Sequence, residues 1–308
     1  MRNQTNSAEY IEPLHVNGMH GRLLRAPSTN RRKREILLVY GHHALLERWW
    51  GLVQNLQSYG KVTMPDLPGF GGMDSFYAIG QQASIDDYAD YLASLVKMYY
   101  KRKRVTIVGI SFGFVVATRM LQRYPELVHK VDFVVSMVGF MHRDDFLFPP
   151  KKRTDYHILS RILGSRPIPF IIRYAMLNSF VVGKVSQRLP AGRRRLADKD
   201  SDYKSRYIDF DVKLWQANDV RTHWRTTSEF LDLDNCQVLI DLPVWHVQAS
   251  GEHYFDNAIV EQHMRVVYSK YDSVVMRSAA HTPTILADKK EQAVMLPQRL
   301  RKELSRAQ

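Results

Sequence analysis

Two rhythms of apolar and polar positions alternate along the chain. Short β-branched apolar runs occur at residues 35–40, 61–64, 105–109, 131–138, 244–248 and 273–276. Between them, stretches such as 45–59, 85–100, 114–124 and 258–268 carry apolar residues at helical spacing. Strand then helix, repeated, predicts a mostly parallel sheet covered by helices on both faces, an α/β fold. The rhythm fails between about residues 139 and 229, where Pro149-Pro150, Pro167, Pro169 and Pro190 interrupt short helical patterns. This stretch reads as an insertion. The pattern therefore divides the chain into a core, 1–140 and 230–308, and a mostly helical cap, 141–229. The last stretch, 284–307, reads as a closing helix broken near Pro297.

Composition adds limits to that picture. A length of 308 residues suits one α/β domain carrying one large insertion, and 45% hydrophobic with 24% charged residues is the make-up of a chain that buries a sizeable core. The longest run without a charged residue is 14 residues, 105–118, too short for a membrane-spanning helix. The first 30 residues hold Arg2, Glu9, Glu12, Arg22 and Arg25 with no apolar stretch of secretory type, so a cytoplasmic location is expected. The single cysteine, Cys236, cannot form an internal disulfide.

Charge is uneven. Lys and Arg total 44 against 31 Asp and Glu, a net +13, and residues 141–225 alone contribute +9, with Lys151-Lys152-Arg153 and Arg193-Arg194-Arg195 as its densest runs. Charge runs more often only keep a surface wet. The alternative is contact between the cap and an anionic membrane surface. Nucleic acid is not expected, because no zinc-finger spacing, aromatic RNA-binding motif or basic zipper accompanies the charge.

The sharpest chemical signal is Gly109-Ile110-Ser111-Phe112-Gly113, which follows the apolar run 105–108 directly and opens a helical pattern. A G-x-S-x-G string means little alone, but at a strand-to-helix junction it forms a sharp turn that lifts the serine hydroxyl above the sheet. Small residues two before and two after the serine let strand and helix approach closely. A serine hydroxyl is a poor nucleophile near neutral pH, so it needs a base, and histidine has the right pKa. There are 12 histidines. His42, His43, His129, His142 and His157 lie in loops or the insertion, whereas His281 lies after the last strand run and before the closing helix.

On these residues the chain resembles the α/β-hydrolase superfamily over most of 35–300. Asp66-Leu67-Pro68-Gly69-Phe70-Gly71 matches that family's D-x-P-G-x-G loop, and Tyr40-Gly41-His42-His43, followed by Trp49, resembles its His-Gly-x stretch. Tyr40 departs from the usual histidine. His281-Thr282-Pro283 resembles the late catalytic histidine. The resemblance implies a serine hydrolase in which Ser111 is the nucleophile, His281 the general base, and the backbone N–H groups of Phe112 and His42 form the oxyanion hole. It also implies an acid in a G-x-x-D turn, where this chain reads Gly251-Glu252-His253-Tyr254-Phe255-Asp256. Asp256, after a two-residue expansion of the turn, is the first choice, with Glu252, Asp144 and Asp145 as alternatives.

Other chemistries lack their groups. There is no G-x-x-x-x-G-K-[ST] loop, no H-E-x-x-H pair and no complete G-x-G-x-x-G, so no nucleotide, metal or dinucleotide cofactor is expected. The expected activity is a carboxylic-ester hydrolase acting on a small-molecule substrate with a hydrophobic acyl or small aromatic part. Apolar cap residues, among them Phe146, Phe148, Phe170, Tyr174, Phe180 and Trp215, are expected either to line an acyl pocket or to form the cap's own core. The alternative is a non-catalytic hydrolase-like protein that binds an anionic lipid or partner through the basic cap.

Overall fold

The computed structural model describes residues 7–177, 180–182, 184 and 199–306. Arg193, Arg194 and Arg195 lie outside the described residues. Among the described residues, eight strands form one sheet in the order β1-β2-β4-β3-β5-β6-β7-β8. Six of them, β3 (Glu35–Val39), β4 (Lys61–Pro65), β5 (Val105–Ile110), β6 (Val131–Met137), β7 (Ile240–Ala249) and β8 (Tyr268–Met276), pair in parallel and overlap the six apolar runs, β7 and β8 starting four and five residues before theirs. β3 and β5 are buried at every position, the burial expected where helices cover both faces. The sheet's first two strands, β1 (Ile11–Val16) and β2 (Met19–Ala26), form an antiparallel hairpin that the six-run reading does not contain. Its turn, Asn17-Gly18, has both residues at positive φ, the geometry of a tight hairpin and a recognisable two-residue signal.

Helices alternate with the strands. α1 (Trp50–Leu56) follows a 3₁₀ turn, α2 (Ile85–Tyr99) starts from a Ser84/Asp87 capping box, and α3 (Phe112–Arg123) starts directly behind Ser111. Between β6 and β7 the chain leaves the sheet and builds α4 (Pro150–Leu163), the single turn α5 (Ile168–Ile171), α6 (Ser201–Ala217) and α7 (Val220–Leu231). Asp200 and Asp219 cap α6 and α7, each accepting a backbone N–H three residues on. Asn218, between these two helices, accepts a hydrogen bond from the Gly71 N–H, and so pins the cap to the loop after β4. α8 (Asn257–Val267) links β7 to β8. The chain end is helical only from Lys289: α9 (Lys289–Gln292), a 3₁₀ turn and, after Pro297, α10 (Gln298–Ser305).

Candidate active site

Ser111 sits at the C-terminal end of β5 with φ 49° and ψ −116°, a conformation that L residues adopt only under constraint. The constraint comes from both flanks. Its N–H donates to the Met137 carbonyl at 2.9 Å, and α3 begins at the next residue. A Cβ on Gly109 would lie 2.5 Å from the Phe114 Cα, and one on Gly113 would lie 2.2 Å from the Val39 carbonyl oxygen. Only hydrogen fits at either place, which is why the small residues stand two before and two after the serine. Positive φ recurs at His43 and Val138, just beyond the ends of β3 and β6. Backbone strain thus gathers along one rim of the sheet.

The loop after β3 runs against that rim. A Cβ on Gly41 would lie 3.4 Å from the Ser111 Cβ, so the backbone entering His42 passes close beside the serine. Phe112 is the first residue of α3, where the helix offers no partner to its N–H. Among the described residues, neither the Phe112 N–H nor the His42 N–H has a hydrogen-bond acceptor. Tyr40, the departure from the family pattern, joins this loop to the next one. Its hydroxyl donates to Asp66 Oδ1 at 2.9 Å and accepts the Leu67 N–H at 2.8 Å, while Arg22 Nε donates to Asp66 Oδ2 at 2.8 Å. Gly71 closes the D-x-P-G-x-G loop at φ +65°, and a Cβ there would lie 1.9 Å from the Asp66 carboxylate.

The His42 ring is held by the cap. Its Nε2 lies 2.7 Å from Thr226 Oγ1 and 3.2 Å from the His223 carbonyl, and because a carbonyl only accepts, Nε2 carries the proton. Burial pushes this imidazole down to about 4. His43 and His223, whose rings pack within 5 Å of each other and of Trp215, are likewise lowered, mainly by burial.

His281 follows β8, and its Nδ1 is 2.6 Å from Glu252 Oε2. The acid against His281 is therefore Glu252 rather than Asp256. Asp256 instead caps α8, accepting the N–H groups of Ala258 and Ile259. The reason lies in the lacing of the two strand-end loops. The Ser250 and Gly251 N–H groups donate to the Met276 and Ser278 carbonyls, and a Cβ on Gly251 would lie 2.5 Å from the Ala279 carbonyl carbon. So close an approach brings residue 252 onto the imidazole without any expansion of the turn. The other carboxylates are engaged elsewhere, Asp144 with Arg153 at 2.6 Å and Asp145 with His263 at 2.5 Å. Burial raises the Glu252 carboxyl, but His281 and the N–H groups of Tyr254 and His253 outweigh it and hold it below the usual range. It is ionised at neutral pH. With Nδ1 donating to this carboxylate, His281 Nε2 is left as the acceptor.

Ser111 and His281 line one cavity of about 480 Å³, with the Phe112, Phe140, Phe146 and Phe255 rings on its walls and Tyr207, Leu214 and Phe230 closing it from the cap. Among the described residues no hydrogen bond joins Ser111 Oγ to another group; such contacts often tighten only when substrate is in place. Of the cap residues expected in an acyl pocket, Phe146 and Phe148 line this cavity. Phe170, Tyr174 and Phe180 instead face solvent, and Trp215 packs on the His43 ring at 4.1 Å. Among the described residues no group of three or more His, Cys, Asp or Glu is arranged to hold a metal ion.

Comparison with known proteins agrees with this architecture. The model of the alpha/beta hydrolase fold family matches residues 36–156. Pimeloyl-(acyl-carrier protein) methyl ester esterase of Aeromonas salmonicida is 28% identical over 112 residues, 36% of this chain and 41% of the relative. The chain thus spans about two fifths of that relative's length. Among solved structures, an esterase from Thermogutta terrifontis superposes with a TM-score of 0.65 at 15% identity, covering 96% of this chain and 98% of the other. The enol-lactonase of Burkholderia xenovorans gives 0.64 at 12% identity, covering 95% and 99%. At such identities the likeness concerns the fold. In its strand order, its serine elbow and the loops beside it, the chain has the alpha/beta hydrolase fold that the family model matches over residues 36–156.

Proposed function

We propose that the protein is a serine hydrolase that cleaves carboxylic esters through an acyl-enzyme, with Ser111 as nucleophile, His281 as base and Glu252 as the acid that orients it. The observation carrying this reading is that the strained Ser111 elbow and the Glu252–His281 pair open into the same aromatic-walled cavity. In the first step the Ser111 oxygen bonds to the ester carbonyl carbon while its proton passes to His281 Nε2. The carbonyl oxygen becomes an oxyanion, received by the N–H groups of Phe112 and His42; each such donor contributes about 3 kcal/mol in comparable sites. His281 returns the proton to the leaving alkoxide as the carbon–oxygen bond breaks, and water repeats the sequence to free the acid and the serine. Glu252 stays ionised throughout and stabilises the imidazolium.

The aromatic walls favour an apolar acyl or small aromatic group. The esterase relatives support the reaction class and leave the substrate open. A fluorophosphonate probe tests the reading directly: wild type should label, and Ser111→Ala should not. A folded wild-type protein that never labels would refute it. His281→Ala should also remove nearly all ester turnover, and the double variant should be about as slow as either single one, because triad members act as a unit.

A further inference from the structure

The cap turns apolar side chains outward. Among the described residues, nine of the fourteen large exposed apolar side chains fall between Leu147 and Phe180. A surface helix ordinarily buries its apolar stripe. In α4 the buried residue is Ser160, and His157 pairs with Asp232 at 2.6 Å, while Ile158, Leu159 and Ile162 stand exposed. Just beyond, Phe170 and Tyr174 are 66% and 72% exposed, their rings 4.5 Å apart. Single exposed apolar residues are normal, but a cluster of this kind marks a contact surface.

The same segment is cationic. Residues 149–174 hold six Lys and Arg against one carboxylate, Asp155. Arg166, Arg173 and Arg221 converge with Phe170 and Tyr174 on a surface groove of about 520 Å³. Apolar side chains bordered by guanidinium groups suit an interface offering acyl chains beneath negative headgroups. A second copy of this face would set like charges against each other. Among the described residues no helix is long and apolar enough to cross a membrane, so contact through this segment would be peripheral.

We propose that the face formed by α4, α5 and the turn through Tyr174 docks the protein on the surface of an anionic lipid bilayer. Tyr156, exposed on α4, also lines the Ser111 cavity, and the Lys152 ammonium stands 5.8 Å from its ring centre and 5.2 Å from that of Phe148. The docking face therefore runs into the rim of that cavity. On the hydrolase reading given above, a lipophilic ester would pass from bilayer to serine without crossing water; the docking itself does not depend on that reading.

The test is vesicle co-sedimentation of the full chain, which needs no activity. Wild type should bind phosphatidylcholine vesicles only when they carry phosphatidylglycerol, and binding should fall steeply with salt. The triple variant Arg161→Gln, Arg166→Gln, Arg173→Gln should bind roughly a hundredfold more weakly at low salt. Phe170→Ser with Tyr174→Ser, which leaves the charge unchanged, should bind at least about tenfold more weakly. Both should hydrolyse a small soluble ester as wild type does. Absence of vesicle binding, equal binding to neutral vesicles, or a wild-type dimer dissolved by the Phe170/Tyr174 pair would each overturn the proposal. Should the aromatic pair fail to fold, the arginine variant and the lipid comparison still decide it.

Discussion

Glu252 and Asp256 stand four residues apart and do different work. Glu252 is nearly buried, accepts the N–H groups of His253 and Tyr254 at 2.9 Å and holds His281 at 2.6 Å; Asp256 closes the first turn of α8. Glu252→Gln should therefore lower kcat by roughly 100- to 10,000-fold, because only the group bonded to Nδ1 sets the tautomer. Asp256→Asn should leave kcat within a few-fold, since asparagine caps a helix about as well as aspartate. Steady-state kinetics with a soluble ester separates the two, and a crippled Asp256→Asn beside an active Glu252→Gln would return the acid to Asp256. The choice was hard to read in the sequence because both carboxylates follow the same strand. Counting from Gly251 cannot reveal that this glycine packs directly on Ala279.

Among the elements, α7 has a role that its sequence does not advertise. It roofs the cavity, and through Thr226 and the His223 carbonyl it also fixes the ring of His42, whose backbone N–H is an oxyanion donor in the proposed mechanism. The Thr226 hydroxyl donates to the Thr222 carbonyl at 2.8 Å, which leaves its oxygen free to accept from Nε2. In that proposed mechanism Thr226 is a positioning residue. Thr226→Val, nearly the same in volume, should lower kcat by about 3- to 30-fold while KM changes little, since only transition-state stabilisation is disturbed. Thr226→Ser should restore the rate. A matched loss in Thr226→Val and Thr226→Ser, or a rise in KM alone, would assign the residue to cap packing instead. No periodicity foretells this contact, because it joins residues 184 positions apart.

At the scale of the whole molecule, buried titratable groups make the fold sensitive to acid. His42 and His246 are held down at about 4 by burial, and His43 and His223 are also lowered. In the unfolded chain each would titrate near 6.5. Between pH 6.5 and 4 the unfolded state binds protons that the folded state refuses, so stability falls as pH falls through this window. Asp66 acts in the opposite sense, since burial raises it to about 7 and the folded state takes its proton first. Burial raises the Glu229 carboxyl as well, so four imidazoles stand against two carboxyls, and the net is a loss of stability between pH 7 and 4.5. Urea denaturation at the two pH values checks this, and an equal or higher midpoint at pH 4.5 would contradict it.

The sequence alone determined the parallel core, the serine elbow and the late histidine. Each of these rests on local pattern: six apolar runs at strand length, two glycines bracketing Ser111, and one histidine between the last strand and the closing helices. Local pattern also contained the β1–β2 hairpin in its Asn17-Gly18 turn, although the polar residues of these two strands mask their alternation. Tertiary structure decided which carboxylate meets His281, how Tyr40 serves in place of histidine by bridging to Asp66, and which cap aromatics turn inward. Phe146 reaches the cavity while Phe170 faces solvent, although both are phenylalanines in the same insertion. The physical reason is common to all three. Side-chain partners across the strand ends are set by loop packing over large sequence separations, and periodicity reports which face of its own element a residue occupies, not what lies opposite.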